Sequence, residues 1–183
     1  MDQKNQNKKI MKRHEKNISS LQLLEQRNST LLQNIGYEEK IIQKLSNFIM
    51  QNGEKTKAHQ IIKKVFLILG HKTLKPPLTV VRDAIDNVKP IFELRKARIS
   101  GSTQFIPALL QLQKQENVAI RWIVQSAKEK KRRKGVAREH AFESFLAQEI
   151  FDAFKLQGTA RQKRDEIHKL AEANRTLAFQ RWW

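Results

Sequence analysis

Apolar residues fall at helical spacing along most of this chain. Ile41, Ile42, Leu45, Phe48 and Ile49 lie at i, i+1, i+4, i+7 and i+8, one face of a helix. Asn52-Gly53 supplies a stop, because glycine accepts the left-handed backbone just past a helix end. A second face follows in Ala58, Ile61, Ile62, Val65 and Phe66, and Gly70 closes it. Pro76-Pro77 suits the first turn of a third helix. Its face is Leu78, Val81, Ala84, Ile85 and Val88, and Pro90 ends it. A fourth face, Leu112, Ala119, Trp122, Ile123 and Ser126, runs into a basic stretch and breaks at Gly135. Phe142, Phe145, Leu146, Ile150, Ala153 and Phe154 form the strongest apolar stripe, which Gly158 ends. Thr159 and Gln162 read as a capping box opening a sixth helix. The inner face there is Ile167, Leu170, Ala171, Asn174, Leu177 and Ala178. These stripes have the spacing of burial, so their aromatic residues are read as core rather than binding platforms.

Between the third and fourth helices the pattern changes. Ile91 to Ala97 and Gln104 to Leu110 hold enough Ile, Phe and Leu for two strands around Ser100-Gly101-Ser102-Thr103. Their alternation is poor, whereas a half-buried sheet should alternate cleanly. A two-stranded ribbon leaving the body escapes that demand, and Pro107 suits its edge. Such a hairpin is marginal in water alone, so an external partner is expected to order its tip. The fold class that follows is mainly α, a bundle of about six helices with a protruding β-hairpin arm near 91–110. Residues 1–36 are polar, with a weak series at Leu21, Leu24, Leu31 and Ile35. They read as a basic, largely flexible extension ahead of one helical domain over 37–183.

Charge then narrows the function. The 183 residues include 36 Lys+Arg against 18 Asp+Glu, a formal net charge of +18. Self-repulsion on that scale favours a polyanionic partner, nucleic acid first, because phosphate contacts release counterions. No apolar run approaches the roughly 20 residues that span a bilayer. An anionic membrane surface is the other polyanion candidate, but it needs an amphipathic helix with an exposed apolar face. The stripe of the first helix is better spent in the core, so no membrane partner is expected. Cysteine is absent, which removes disulfides, thiolate nucleophiles and cysteine-based zinc sites together. The opening "MDQKNQNKKIMKRHEKN" lacks the apolar centre of a signal peptide and is a poor import peptide. Synthesis in the compartment of use is therefore expected.

For catalysis the residues are poor. His14, His59, His71, His140 and His168 show no ligand spacing. His168 lies i+3 from Asp165, the spacing of a surface ion pair. No phosphate-cradling glycine loop occurs, and no carboxylate cluster suits a metal-dependent nuclease. Neither enzyme, metal nor cofactor is expected. The cations, in contrast, gather in groups. They are Lys55 and Lys57; Arg95, Lys96 and Arg98 on the arm; Lys128, Lys130, Lys131, Arg132 and Arg133; and Arg161, Lys163 and Arg164. Phosphate pairing by such side chains fixes orientation on RNA. Gly101, flanked by Ser102 and Thr103, lets the backbone approach a ligand closely, so these two hydroxyls join the candidates. From the residues alone, a structural RNA binder competes with a free-standing helical RNA-binding assembly or processing factor. A nucleic-acid-modifying enzyme would also need a cleft of convergent ionisable groups.

Longer motifs carry a resemblance. "AIDNVKPIFELRKARISGSTQFIP", "ALLQLQKQENVAIRWIVQSAKEK" and "GTARQKRDEIHKLAEANRTLAFQRW" resemble, in order and spacing, the S-seven family of small-subunit ribosomal proteins. "LSNFIMQNGEKTKAHQIIKKVF" resembles the family's first two helices. The shared features are Gly101-Ser102-Thr103, Ala119 to Ile123, and His168 with Ala171 to Asn174. The resemblance implies a helical bundle with a protruding hairpin and no enzymatic activity. It implies a primary rRNA binder that nucleates the head, the 3′ major domain, of the small subunit. Partners implied are that rRNA, neighbouring small-subunit proteins, and exit-site tRNA and mRNA near the arm. It adds Arg121 to the RNA-binding candidates and assigns Trp122 to packing. Gly53-Glu54-Lys55 departs from the family's usual Gly-Lys-basic run. The ending "FQRWW" is similar to organelle-encoded mitochondrial members, and the Lys, Asn and Ile richness agrees with an AT-rich genome. A mitochondrial ribosome is expected, with a bacterial or plastid one as the alternative.

Overall fold

The computed structural model describes residues 39–99, 101–133 and 142–180. The extension read over 1–36, the break at Gly135 and the last three residues lie outside them. Ile41–Trp183 form one compact unit. The elements are α1 (39–49), α2 (Lys55–Lys72), α3 (Pro77–Val88), β1 (Phe92–Ile99), β2 (Ser102–Leu109), α4 (Leu112–Arg133), α5 (Phe142–Phe154) and α6 (Thr159–Ala173). A 3-10 turn, Arg175–Gln180, follows. This is the expected bundle of six helices with a hairpin.

The core is centred on α5, which packs against α2, α3, α4 and α6. Leu146, Ala147, Ile150 and Ala153 of α5 are at most 1% exposed, the period of one helix face. Val65 and Leu69 of α2, Val80 and Val88 of α3, and Ala119 and Ile120 of α4 meet them in the same core. The phenylalanines of the α5 stripe, Phe142, Phe145 and Phe154, are only half-buried. The buried residues of α6 are both alanines, Ala160 and Ala171. Leu112 and Leu170, expected on inner faces, are 79% and 51% exposed. Each lies toward one end of its helix.

Helix ends depart from the expected signals in instructive ways. Asn52 and Gly53 have φ of 51° and 77°, the left-handed stop read from the chain. Gly70 does not close α2, which runs on to Lys72; there Thr73 donates from its N–H and its hydroxyl to the Leu69 carbonyl. Pro77 opens α3 as expected. The capping box at Thr159 is absent. The cap position is Gly158, which has no side chain to offer. Instead Glu149 reaches across from α5: its Oε1 accepts from Ala160 N at 2.9 Å and Thr159 Oγ1 at 3.0 Å. Gly158 is required there, with φ +95° and a notional Cβ only 3.0 Å from Asp152 Cβ and 3.2 Å from Glu149 Oε1.

A second set of exchanged caps ties α3, α5 and α6 together. Asn87 donates its Nδ2 to the Ala153 and Phe154 carbonyls at the end of α5. Arg161 and Arg164 of α6 donate to the Asn87 and Lys89 carbonyls at the end of α3. Orphan carbonyls at both helix ends are thereby satisfied by side chains from other helices.

Candidate nucleic-acid interface

The arm is built by antiparallel pairing of β1 and β2, from Phe92 opposite Leu109 to Ile99 opposite Ser102. The strands reach closer to the tip than expected, taking in Arg98, Ile99, Ser102 and Thr103. Gly101, with φ +86°, serves the tight connection. Alternation splits the arm into two faces. One carries Phe92, Leu94, Lys96 and Arg98 opposite Leu109, Pro107, Phe105 and Thr103. The other carries Arg95 and Ala97 opposite Ile106 and Gln104. The three arm cations therefore do not share one face. Lys96 and Arg98 share a face, while Arg95 lies on the opposite one and pairs with Glu93 at 2.6 Å.

The arm is held by the body where β1 meets α6 and β2 meets the 3-10 turn. Ile106, Ala108 and Ala97 are 0%, 5% and 6% exposed. Between α6, the 3-10 turn and the hairpin lies a groove lined by Phe92, Pro107, Leu109, His168, Ala171 and Arg175 among others. His168 is not in the surface ion pair expected with Asp165. Its Nε2 accepts the Ile91 N–H at 3.2 Å, and its ring meets Phe92 edge-on at 5.7 Å. Asp165 turns instead to Arg161 and Arg164. Burial, then the nearby Arg164 charge, lowers the His168 pKa, against a smaller opposite pull from Asp165. A proton on Nε2 would remove the acceptor that anchors Ile91. Because the folded pKa is lowered, the unfolded chain binds more protons. Stability contributed here is present above about pH 6.5, the ordinary histidine value, and is lost as pH falls through the folded pKa. We expect the melting temperature to drop between pH 7.5 and 5.5, and His168→Asn to flatten that drop. An equally steep profile in the variant would assign the loss to other groups.

Helix α4 presents a second cationic surface. Arg121, Lys128 and Arg132 fall at i, i+7 and i+11, and all three are exposed. Arg121 lies over the Phe48 ring of α1 at 5.6 Å. Lys131 and Arg133 extend this exposed end. Lys55 and Lys57, at the start of α2, are also exposed; Lys57 pairs with Glu54 at 2.8 Å. That ion pair is the local consequence of Glu54 following Gly53.

Four other candidates are engaged inside the protein. Lys130 of α4 is half-buried and pairs with Glu149 and Asp152 of α5. Burial alone would lower its pKa, but these two carboxylates reverse the shift and raise it. Lys163 reaches Glu129 at 3.3 Å, and Arg161 and Arg164 are the caps described above. A run of like charges cannot reveal which members turn inward. A further basic group escapes sequence reading because it is assembled from distant positions. Lys72 and Lys155 flank the Phe151 ring at 6.0 and 4.2 Å, and Lys75 lies 5.1 Å from Phe154. Among the described residues no group of His, Asp and Glu is arranged to hold a metal ion, and no helix is long and apolar enough to cross a membrane.

The exposed candidate cations thus lie on a narrow ribbon, one face of α4 and the start of α2. Comparison with known proteins gives the family. The family model for ribosomal protein S7p/S5e matches residues 21–175. The chain is 42% identical over 151 residues to small ribosomal subunit protein uS7m of Marchantia polymorpha; the match spans 81% of this chain and 62% of that longer relative. It is 39% identical over 146 residues to small ribosomal subunit protein uS7 of Thermotoga petrophila, covering 80% of this chain and 90% of the relative. Against the same protein of Dictyoglomus turgidum identity is 40%, again over 146 residues, with 89% of the relative covered. The chain therefore belongs to the ribosomal protein S7p/S5e family, a family of structural, non-enzymatic proteins.

Proposed function

We propose that this chain is an rRNA-binding structural constituent of the small ribosomal subunit. In this reading it binds the head domain of the rRNA and nucleates its assembly, with the arm near the exit-site tRNA and the mRNA exit region. The observation that carries the reading is where the unpaired cations lie. Lys55, Arg98, Lys128 and Arg132 are exposed and make no ion pair among the described residues. Cations left free on a chain of charge +18 are the groups that gain most from phosphate. The ribosome of residence is proposed to be mitochondrial, supported by the likeness to the Marchantia polymorpha protein. Mass spectrometry of purified mitochondrial small subunits tests that point directly.

The binding test uses the full chain, the head-domain rRNA fragment and an unrelated folded RNA of equal length across a salt series. A preference for the fragment that survives high salt is the expected result. Equal binding that fades together would leave a free-standing polyanion binder. In the same assay, replacing Arg95, Lys96 and Arg98 together by alanine should weaken RNA binding with little change in melting temperature. All three are exposed, and the Arg95–Glu93 pair, as a surface pair, contributes only ~0–1 kcal/mol. A large fall in melting temperature would mean that the arm's cations stabilise the body instead.

A further inference from the structure

We propose that Phe105, framed by Lys96 and Arg98, is a stacking platform for one unpaired base of a single-stranded RNA segment. The inference rests on the RNA-binding reading above and narrows it to a class of ligand and a residue.

Phe105 is 44% exposed, although it sits in a strand whose next three residues are buried. Lys96 faces it directly across the ribbon, with Nζ 5.7 Å from the ring centroid. One step toward the tip on the same face, Arg98 stands opposite Thr103, and both are exposed. An aromatic face, two cations and a hydroxyl therefore follow one another along a single surface. That order matches a nucleotide: the ring takes the base, and the cations and hydroxyl take the flanking phosphates. The Lys96 ammonium is near the outer limit of a cation–π contact, about 6 Å. A phosphate, as the stronger partner, can draw it aside and leave the ring open.

The geometry favours an unpaired strand over a duplex. In duplex RNA the bases are stacked on one another, and the A-form major groove is too narrow for side chains to read. A ring on a protruding ribbon can meet only a base already splayed out. A protein partner is the other class of occupant for an exposed phenylalanine. The strong positive charge of this face disfavours it, and the buried anchors Ile106 and Ala108 lie on the opposite face.

The test uses the full chain, a short single-stranded RNA carrying one 2-aminopurine, its duplex form, and the head-domain rRNA fragment. Stacking on Phe105 should quench the 2-aminopurine of the single strand and not that of the duplex. Phe105→Leu keeps an apolar strand residue but removes the ring. It should abolish the quench and weaken single-strand binding roughly tenfold or more, the range for one base–aromatic stack. Phe105→Tyr should restore both. Equal melting temperatures for the three proteins would show that the arm remains folded. Full quenching and affinity in Phe105→Leu would overturn the proposal and leave the ring to a protein partner. If wild type prefers the head-domain fragment in that case, the rRNA reading survives on its own. If wild type shows no such preference, that reading fails whatever Phe105 does.

Discussion

Replacing Lys130 by methionine should destabilise the folded body by about 3 kcal/mol and leave RNA binding almost unchanged. The substitution leaves the Glu149 carboxylate, 0% exposed, without its counter-ion. Removing one partner of a buried pair costs about 3–5 kcal/mol. The lower end applies here because a quarter of the Lys130 side chain and of Asp152 stays open to water. The same carboxylate caps α6, so the disturbance passes to Thr159 and Ala160. Adding Glu149→Gln to Lys130→Met should recover roughly half of the loss. Glutamine keeps an acceptor for Ala160 while removing the unpaired charge. Chemical denaturation of the two variants measures both effects. Unchanged stability in Lys130→Met, with a salt slope shallower by roughly 0.7–0.9, would instead put Lys130 on a phosphate.

The second large effect concerns α4. Changing Arg121, Lys128 and Arg132 together to glutamine should make the slope of log affinity against log salt shallower by about 2–3. All three lie on one exposed face, so the fold should survive. Arg121 gives up its place over the Phe48 ring, a cation–π interaction of the order of 0.5–1 kcal/mol at an exposed site. Binding of the triple variant to the head-domain fragment, followed across salt, checks the slope. A slope equal to wild type would mean that this face carries solvated charge and no phosphate.

These two experiments divide one basic run by position. Lys128, Lys130, Lys131, Arg132 and Arg133 look alike as letters. In the helix, Lys130 turns toward α5 while Lys128 and Arg132 turn to solvent. The same division applies to the arm, where strand alternation sets Arg95 apart from Lys96 and Arg98. In the last helix, Arg161 and Arg164 complete the end of α3. A charge count locates the partner's class, but only the direction of each side chain locates its partner atoms.

Much of the architecture was legible in the chain because helix burial has a period. The stripes over 41–49, 58–66, 78–88 and 142–154 each became a helix. Asn52-Gly53, Pro77 and Gly101 marked ends and turns through constraints of their own backbones. The hairpin was legible too, as the one stretch where the helical period failed. The family motifs are local strings and need no tertiary structure to be read. What the tertiary structure alone decided are interactions between segments far apart in sequence. They include Glu149 capping α6 in place of a local capping box, His168 holding Ile91, and lysines 72, 75 and 155 meeting around Phe151 and Phe154. Periodicity and backbone preference act over a few residues, so the sequence displays them. Charge pairing and capping depend on which helices become neighbours, and that is settled only when the core around α5 closes.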